Sequence, residues 1–284
     1  MKGLQGIVLF VVGSSLIISA QVARAQSEPP TPEMSIDAMN SSVTAARTAT
    51  KEKRFGDAEA LMLKVTESQP KFVIPWVELG LAQLGLKKYM EAEFDFERAL
   101  GIDPKSQELA HADDFFVSAD SKSPDAEGMK RSRNTLSGTT FNGEKIPPEV
   151  KGVCHAGLGE IYAKTGKIPE SQKEFDEAVK VYPADTALYR RNQTIFYFQV
   201  GNSDAQLDAA NQAIAADPSR ASNYYFKAQA LVSKASVDGK TGKIQLPAGC
   251  AEAYQKYLSM EPAGPFSADA KAVLASAGFG SGKK

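Results

Sequence analysis

The chain has 284 residues, of which 43% are hydrophobic and 24% are charged, and its formal net charge is −1. This length supports one or two domains with a sizeable core, and the balanced charge excludes a disordered acidic or basic tail protein. The same balance leaves no strong positive field for a phosphate backbone, so we expect no nucleic-acid partner.

The first 25 residues have the organisation of a secretory signal peptide. Lys2 gives a short positive region, an apolar stretch covers residues 7–20, and Ala-Arg-Ala at 23–25 matches the small-x-small pattern of a cleavage site. The apolar stretch is shorter than the ~20 residues that a membrane-spanning helix needs, which favours a cleaved signal over a permanent anchor. We therefore expect an exported protein, periplasmic or secreted, with no stable membrane insertion after cleavage.

The mature chain would begin at Gln26. Cleavage removes Lys2 and Arg24 and no acidic residue, so the formal net charge changes from −1 to −3. Residues 26–38 are rich in proline and in charge and carry no periodic apolar face, which predicts a flexible linker.

From residue 39 onward, bulky and small residues recur with a period of about 34. The clearest copy predicts one helix, a turn at 85–88, and a second helix that ends at a proline. Its markers are Trp76, Leu79, Gly80, Ala92, Phe96, Ala99 and Pro104. They return as Leu158, Gly159, Tyr162, Ser171, Phe175, Ala178 and Pro183, and then as Tyr197, Gln206, Ala210, Ala213 and Pro218. Two further segments match only the second-helix part of the pattern. One has Ala58, Met62, Val65 and Pro70, and the other has Cys250, Tyr254, Tyr257 and Pro262.

This pattern resembles the tetratricopeptide repeat (TPR) family, whose unit carries a W-x2-L-G-x2-Y…A-x3-F…P signature. The resemblance implies an all-α fold, a right-handed superhelical solenoid of antiparallel helix pairs with a C-terminal capping helix. It covers residues 39–264. The expected units are 39–72, 73–106, a degenerate 107–140, 152–185, 187–220 and 221–264, followed by a capping helix at 265–277 and a disordered tail at 278–284. Whether 107–151 is a degraded repeat or an irregular insertion stays open.

The marker positions have a physical reason. Small residues such as Ala92 and Ser171 let the second helix approach the first, and Gly80 and Gly159 do the same from the first helix. The bulky positions, such as Phe96, fill the space between neighbouring pairs. Since one pair cannot bury both of its faces, at least about three pairs must stack.

Two segments interrupt the period. Residues 138–152 carry Asn-Gly and Pro-Pro pairs, which predict a loop. Residues 235–249 carry Asp-Gly and Thr-Gly pairs followed by Lys-Ile-Gln-Leu, which allows a short hairpin between two helices. Such an insertion contributes to binding or is merely tolerated loop length, and the sequence leaves both open.

Cys154 and Cys250 are the two cysteines, too few for a disulfide-rich scaffold or a four-thiolate zinc site. Export permits oxidation, but a disulfide needs Cα atoms within about 7 Å, and these residues lie about two repeats apart. We expect two free, buried thiols.

Patterns that carry catalysis are nearly absent. Neither His111 nor His155 lies in H-E-x-x-H, and the sequence has no C-x-x-C and no G-x-S-x-G. His155 stands at the tryptophan position of its repeat, so we expect a packed imidazole. The sequence therefore predicts a non-catalytic protein with no cofactor and no metal site.

Two other functions stay open. An envelope enzyme or metal-dependent hydrolase with a site on 107–151 would gather His111, Asp113, Asp114 or His155 in one pocket. A structural subunit of a homo-oligomer would associate through its end helices.

The TPR resemblance implies a partner that is another protein or a peptide segment. In this family the first helices of the pairs line a concave groove, which binds peptides or partner helices, and the chain would be an interaction scaffold in the cell envelope. The positions that would face the groove are Ile74, Val77, Leu81, Leu84, Val153, Ala156, Glu160, Lys164, Leu188, Arg191, Ile195, Phe198, Gln199, Ser222, Tyr225 and Gln229. The set lacks the Lys/Asn/Arg clamp with which chaperone-binding TPR domains hold a carboxylate.

Overall fold

A computed structural model describes residues 34–101, 146–240 and 242–279. These residues fold almost entirely into α-helices, which confirms the expected all-α class. The helices are α1 (Ile36–Lys51), α2 (Phe55–Ser68), α3 (Val73–Gly85), α4 (Tyr89–Gly101), α5 (Pro148–Lys164), α6 (Ile168–Val181), α7 (Thr186–Gln199), α8 (Ser203–Ala216), α9 (Ala221–Val232), α10 (Cys250–Met260) and α11 (Ser267–Ser276). We call α1, α3, α5, α7 and α9 the A helices and α2, α4, α6, α8 and α10 the B helices.

Each A helix packs against the B helix that follows it, and each B helix packs against the next A helix. Consecutive A helices also touch one another, from α1 to α9. Short turns between long helices produce antiparallel pairs, and repetition of these contacts makes the pairs a stack. The helix α11 packs on α10 and closes the C-terminal end.

Prolines set the ends of the B helices. The helices α2, α6, α8 and α10 end two residues before Pro70, Pro183, Pro218 and Pro262 respectively. A proline and the residue before it both resist the α conformation, so each helix stops ahead of them.

The turns between A and B helices repeat the same backbone conformation. Lys53, Lys87, Gly166 and Gly201 each have a positive φ, between 62° and 80°, at the same position of their repeats. The left-handed residue lets the chain reverse while the next backbone N–H bonds back to the end of the A helix. The repeat is thus visible in the backbone as well as in the side chains.

Glycines bring neighbouring helices close to buried aromatic rings. A Cβ added at Gly80 would lie 3.0 Å from the Phe96 ring, and one at Gly157 would lie 2.5 Å from the same ring. Gly80 belongs to the same pair as Phe96, whereas Gly157 belongs to the next described pair. Phe96, which is fully buried, therefore joins two pairs by filling the space that both glycines leave.

The pair α5–α6 repeats this arrangement. A Cβ at Gly159 would lie 2.8 Å from the Phe175 ring, and the Ser171 hydroxyl donates a hydrogen bond of 2.7 Å to the Gly159 carbonyl. Gly159 and Ser171 therefore allow the close approach of the two helices that their small size predicts.

Two helices begin earlier than the sequence suggested. The helix α1 starts at Ile36, inside the expected linker, because the Ser35 hydroxyl caps it by accepting a hydrogen bond of 3.3 Å from the Ala38 N–H. The helix α5 starts at Pro148, inside the expected loop 138–152, because a proline in the first turn needs no N–H partner.

Residues 235–249 contain a short hairpin between α9 and α10. The strands β1 (Ser236–Val237) and β2 (Ile244–Gln245) pair in antiparallel register, with Ser236 opposite Gln245 and Val237 opposite Ile244. The hairpin begins where the other pairs place their left-handed turn residue, so the insertion lengthens a turn and leaves both helices intact.

Several expectations fall outside the described residues. These are the signal peptide at 1–25, most of the linker at 26–38, the degenerate unit at 107–140, and the end of the tail at 280–284. Among the residues that the structure does describe, no helix is both long and apolar enough to cross a membrane.

Candidate functional site

Four residues of the predicted groove lie on α3. Ile74, Val77, Leu81 and Leu84 are all buried, with no more than 9% of any side chain exposed. They belong to one apolar cluster that also takes in Met39 and other residues of α1, α2, α4 and α5. On this helix the predicted positions contribute to the core of the stack.

Buried charges also lie on the A helices. The Arg47 Nε donates to the Glu78 carboxylate at 2.7 Å, which links α1 to α3, and both side chains are buried. On α5, Lys164 pairs with Glu160 at 2.8 Å. Burial raises the pKa of both Glu78 and Glu160, and the neighbouring cation lowers it in each case. The A helices therefore carry paired charges in the first three helix pairs that the structure describes.

The predicted groove residues of α7 divide by exposure. Arg191 and Ile195 are buried, whereas Phe198 is 41% exposed. The Phe198 ring packs on Phe226 of α9, with 5.4 Å between the ring centroids. Phe198 and the adjacent exposed Val200 form an apolar step at the end of α7.

Tyr225 and Gln229 of α9 are engaged by the C-terminal segment. The Tyr225 ring stacks on Phe266, with 4.0 Å between centroids and 8° between planes. Its hydroxyl donates to the Asp269 carboxylate at 3.0 Å, and the Gln229 amide donates to the same carboxylate at 2.8 Å. These two residues thus hold α11 in place.

Some buried polar atoms on the A helices have no hydrogen-bond partner among the described residues. Both polar atoms of the Asn192 side chain are in this state, as are the Ser222 hydroxyl and the Glu160 Oε2. Buried groups left unpaired cost about 1–3 kcal/mol each, so these atoms lower the stability of the stack.

If the protein were an enzyme, its site would contain His111, Asp113, Asp114 or His155, and the structure describes only the last of these. His155 pairs with Glu174 through its Nδ1 at 2.7 Å, which ties α5 to α6, as expected of a packed imidazole. His111, Asp113 and Asp114 lie outside the described residues. In the described ranges, no cluster of three or more histidine, cysteine or acidic side chains is placed to hold a metal ion.

Cys154 and Cys250 are both free and buried, as expected. Burial raises the pKa of the Cys250 thiol to about 11 and that of Cys154 further. Both sulfurs are therefore poor nucleophiles at neutral pH and act as small apolar groups.

A second surface, which the repeat pattern does not indicate, lies between α2, α3 and α4. It is an open cleft of about 720 Å³. The described residues that line it are Leu63, Thr66, Glu67, Trp76, Leu79, Gln83, Met90, Glu91, Phe94 and Asp95. We call it the acidic cleft, because its charged lining residues are all carboxylates.

Asp95 is the buried acid of the acidic cleft, with 4% of the residue exposed. Burial raises its pKa to about 7; the Gln83 amide lowers it, and the carboxylates of Glu59 and Glu91 raise it. The Asp95 Oδ2 and the Gln83 Oε1 have no hydrogen-bond partner among the described residues. Two acceptors buried just beneath the surface of the cleft are therefore left unpaired.

Asp95→Asn is expected to make the protein more stable above neutral pH. The unfolded chain releases the Asp95 proton near 3.8 and the folded chain holds it to about 7, so stability falls as pH rises between these values. Asparagine is neutral throughout and removes this loss, which we expect to raise the free energy of unfolding by about 1–3 kcal/mol above pH ~7. Denaturant titration below and above this window measures it.

Asp208→Asn is the matched control, because Asp208 is exposed on α8. It should follow the wild-type pH dependence throughout. An Asp95→Asn curve parallel to the wild type would show that the Asp95 carboxyl ionises normally in the folded chain.

Stacked helix pairs of this kind form an α-solenoid, a class of protein that binds other proteins through its extended surfaces. Two profiles of the tetratricopeptide repeat family match the chain, at residues 75–106 and 157–221. The chain therefore carries tetratricopeptide repeats over these residues, as the sequence pattern indicated. Such repeats in general form scaffolds for protein–protein interaction, and they support a role of that kind here.

The chain is similar to several solved structures at low sequence identity. PilF of Pseudomonas aeruginosa is 10% identical, with 86% of this chain and 88% of that chain covered and a TM-score of 0.50. MamA of Desulfovibrio magneticus RS-1 is 14% identical over 80% and 96% of the two chains, with a TM-score of 0.48. YrrB, described as a TPR protein with an unusual peptide-binding site, is 14% identical over 89% and 97%, with a TM-score of 0.46. A search of curated protein sequences gives no match.

Proposed function

We propose that this protein is an exported, non-catalytic scaffold that binds a segment of a partner protein along its A helices in the cell envelope. The observation that carries the proposal is the apolar step at Phe198, a large aromatic side chain left 41% exposed on an A helix. Exposed aromatic groups beside a packed aromatic neighbour are favourable anchors for a partner side chain. The signal-like segment at 1–25 supports export.

A bound segment would place an apolar side chain on Phe198 and Val200, which are 41% and 39% exposed. Asn192 and Ser222 are buried within the stack, so they lie out of reach of such a segment.

A photoreactive residue at position 198 is expected to crosslink one partner protein in intact cells. The matched position is 211, where Asn211 is exposed on the B helix α8. Crosslinking should be strong from 198 and absent from 211, because the partner covers only the A-helix surface. Adducts are detected by mass shift and identified by mass spectrometry.

Capture of the crosslinked partner in a pull-down completes this test. Phe198→Glu should abolish capture, whereas Asn211→Ala should leave it unchanged. Tyr225 is unsuitable for the same purpose, because its replacement would release α11. Equal adducts from positions 198 and 211 would contradict binding along the A helices.

Export predicts a mature protein that starts at Gln26. N-terminal sequencing of the protein from the envelope fraction should therefore begin with Gln-Ser-Glu-Pro-Pro. Ala25→Tyr should block cleavage and leave the precursor in the membrane, since a bulky residue there breaks the small-x-small pattern. Ala20→Leu, which leaves the cleavage pattern unchanged, should still be processed. A wild-type protein that keeps residues 1–25 would contradict the proposal.

A further inference from the structure

The acidic cleft has an apolar rim that nothing in the described chain covers. Met90 is 81% exposed, Phe94 is 61% exposed and Leu63 is 49% exposed. Met90 and Phe94 stand four residues apart on α4 and so share one face of that helix, with Leu63 on α2 as a further lining residue. A rim of this kind is favourable to cover and costly to leave in water.

The unpaired polar groups of the acidic cleft are acceptors once Asp95 is ionised. Glu67, Glu91 and Asp95 are carboxylates, and the unpaired atom of Gln83 is its carbonyl oxygen. Thr66 cannot offer a donor either, because its hydroxyl already donates to the Met62 carbonyl at 3.0 Å. A complementary ligand must therefore bring hydrogen-bond donors.

Two basic side chains lie near the cleft and have other partners. The Lys88 Nζ lies 2.7 Å from the Glu59 carboxylate, and the Arg98 guanidinium lies 5.7 Å from the centre of the Trp76 ring, which lines the cleft. Within the described ranges, no basic side chain pairs with Glu67, Glu91 or Asp95. The negative charge of the cleft is thus left for a ligand to neutralise.

We propose that the acidic cleft binds a basic side chain, lysine or arginine, carried on an apolar segment of a partner protein. The cation donates to the Asp95 carboxylate and the Gln83 carbonyl oxygen, with Glu67 and Glu91 at the entrance. The flanking apolar groups of the segment cover Met90 and Phe94. This surface is distinct from the A-helix step at Phe198, so the two sites can be tested separately.

A protein segment fits the cleft better than the other occupants. A small organic amine could reach Asp95, but it would leave the rim at Met90 and Phe94 uncovered. A second copy of this chain packed through the same cleft would place Glu67 and Glu91 against their own copies, and such like-charge contacts oppose association. An apolar segment with a basic residue would cover Met90 and Phe94 and also neutralise the carboxylate of Asp95.

Trp76 makes the binding measurable, because it lines the cleft and is the single tryptophan of the chain. The probe is a capped Leu-Phe-Arg-Leu-Leu peptide, titrated into the full mature protein at a pH above ~7, where Asp95 is ionised. The expected result is a saturable change in Trp76 fluorescence. The same peptide with citrulline, the neutral isostere of arginine, should bind at least about tenfold more weakly, a loss of ~1.4 kcal/mol.

Two variants test the assignment of residues, and two further variants serve as controls. Asp95→Asn should weaken the arginine peptide at least about tenfold, and Phe94→Ser should weaken it several-fold. Asp208→Asn, an exposed change of the same type on α8, should leave the affinity unchanged. Phe198→Glu should also leave it unchanged, so that failure here is distinguishable from failure of the A-helix proposal.

Several results would overturn the inference. They are no fluorescence change up to about 1 mM peptide, equal binding of the citrulline peptide, and undiminished binding to Asp95→Asn. Binding of 2-phenylethylammonium as tight as that of the peptide would identify a small-amine site. Light scattering that shows a dimer lost on Phe94→Ser would identify a second copy as the occupant.

Discussion

Phe96→Ala is expected to lower the free energy of unfolding by about 3–5 kcal/mol, or to prevent folding altogether. The Phe96 ring is fully buried and contacts Gly80 of its own pair and Gly157 of the next described pair. Its removal leaves a cavity that neither glycine can fill, since neither has a side chain. Both the pair and the junction to the next pair lose their packing.

Phe94→Ala is the matched control, because Phe94 lies two residues away on the same helix and is 61% exposed. It should change stability by no more than about 0.5 kcal/mol. Thermal or denaturant unfolding followed by circular dichroism measures both variants. Equal, small effects of the two substitutions would show that the Phe96 ring does not hold the pairs together.

Gly157→Ala tests the same contact from the other side. The new Cβ would lie 2.5 Å from the Phe96 ring, which is closer than nonbonded carbon atoms approach, so the ring or the helix must move. In the double variant with Phe96→Ala that clash is gone. The two changes should therefore be clearly non-additive in a double-mutant cycle.

Arg47→Met should have the second large effect, a loss of about 3–5 kcal/mol. It leaves the Glu78 carboxylate buried without the guanidinium that donates to it at 2.7 Å. Burial already raises the pKa of Glu78 and Arg47 opposes this, so the variant raises that pKa further. A raised carboxyl pKa means stability lost as pH rises, and the loss should be larger at alkaline than at acidic pH.

The pair Arg47→Met and Glu78→Leu should recover much of this loss, because no buried charge then remains. Arg54→Met is the matched control, since Arg54 pairs with Glu52 and Asp57 on the exposed surface. It should have little effect, because water screens exposed ion pairs. A loss from Arg47→Met that does not depend on pH would contradict an unpaired Glu78 carboxylate as its cause.

The fold was predictable from the sequence because the repeated residues are the ones that pack the helices together and end them. Gly80, Phe96 and Pro70 stand at fixed positions of the period, and each has a local physical role that the structure bears out. The helix starts at Ile36 and Pro148 were missed. A serine cap and a first-turn proline give weaker signals than the linker and loop composition around them.

The surfaces were less predictable, because exposure depends on what packs over a residue. Tyr225 and Gln229 stand at repeat positions that would face the groove. In the structure both donate hydrogen bonds to Asp269 of the C-terminal helix. The acidic cleft was missed because it needs three helices at once. Met90 and Phe94 at a four-residue spacing on a B helix, apart from the marker positions, were the available signal.

Proton contacts of the Phe96 ring test the central structural claim, that one buried ring joins consecutive helix pairs. In a sample labelled at phenylalanine and glycine, the Phe96 ring protons should show nuclear Overhauser effects to the α-protons of both Gly80 and Gly157. Effects to Gly80 alone would mean that the pairs do not pack on one another through this ring, and would contradict the account.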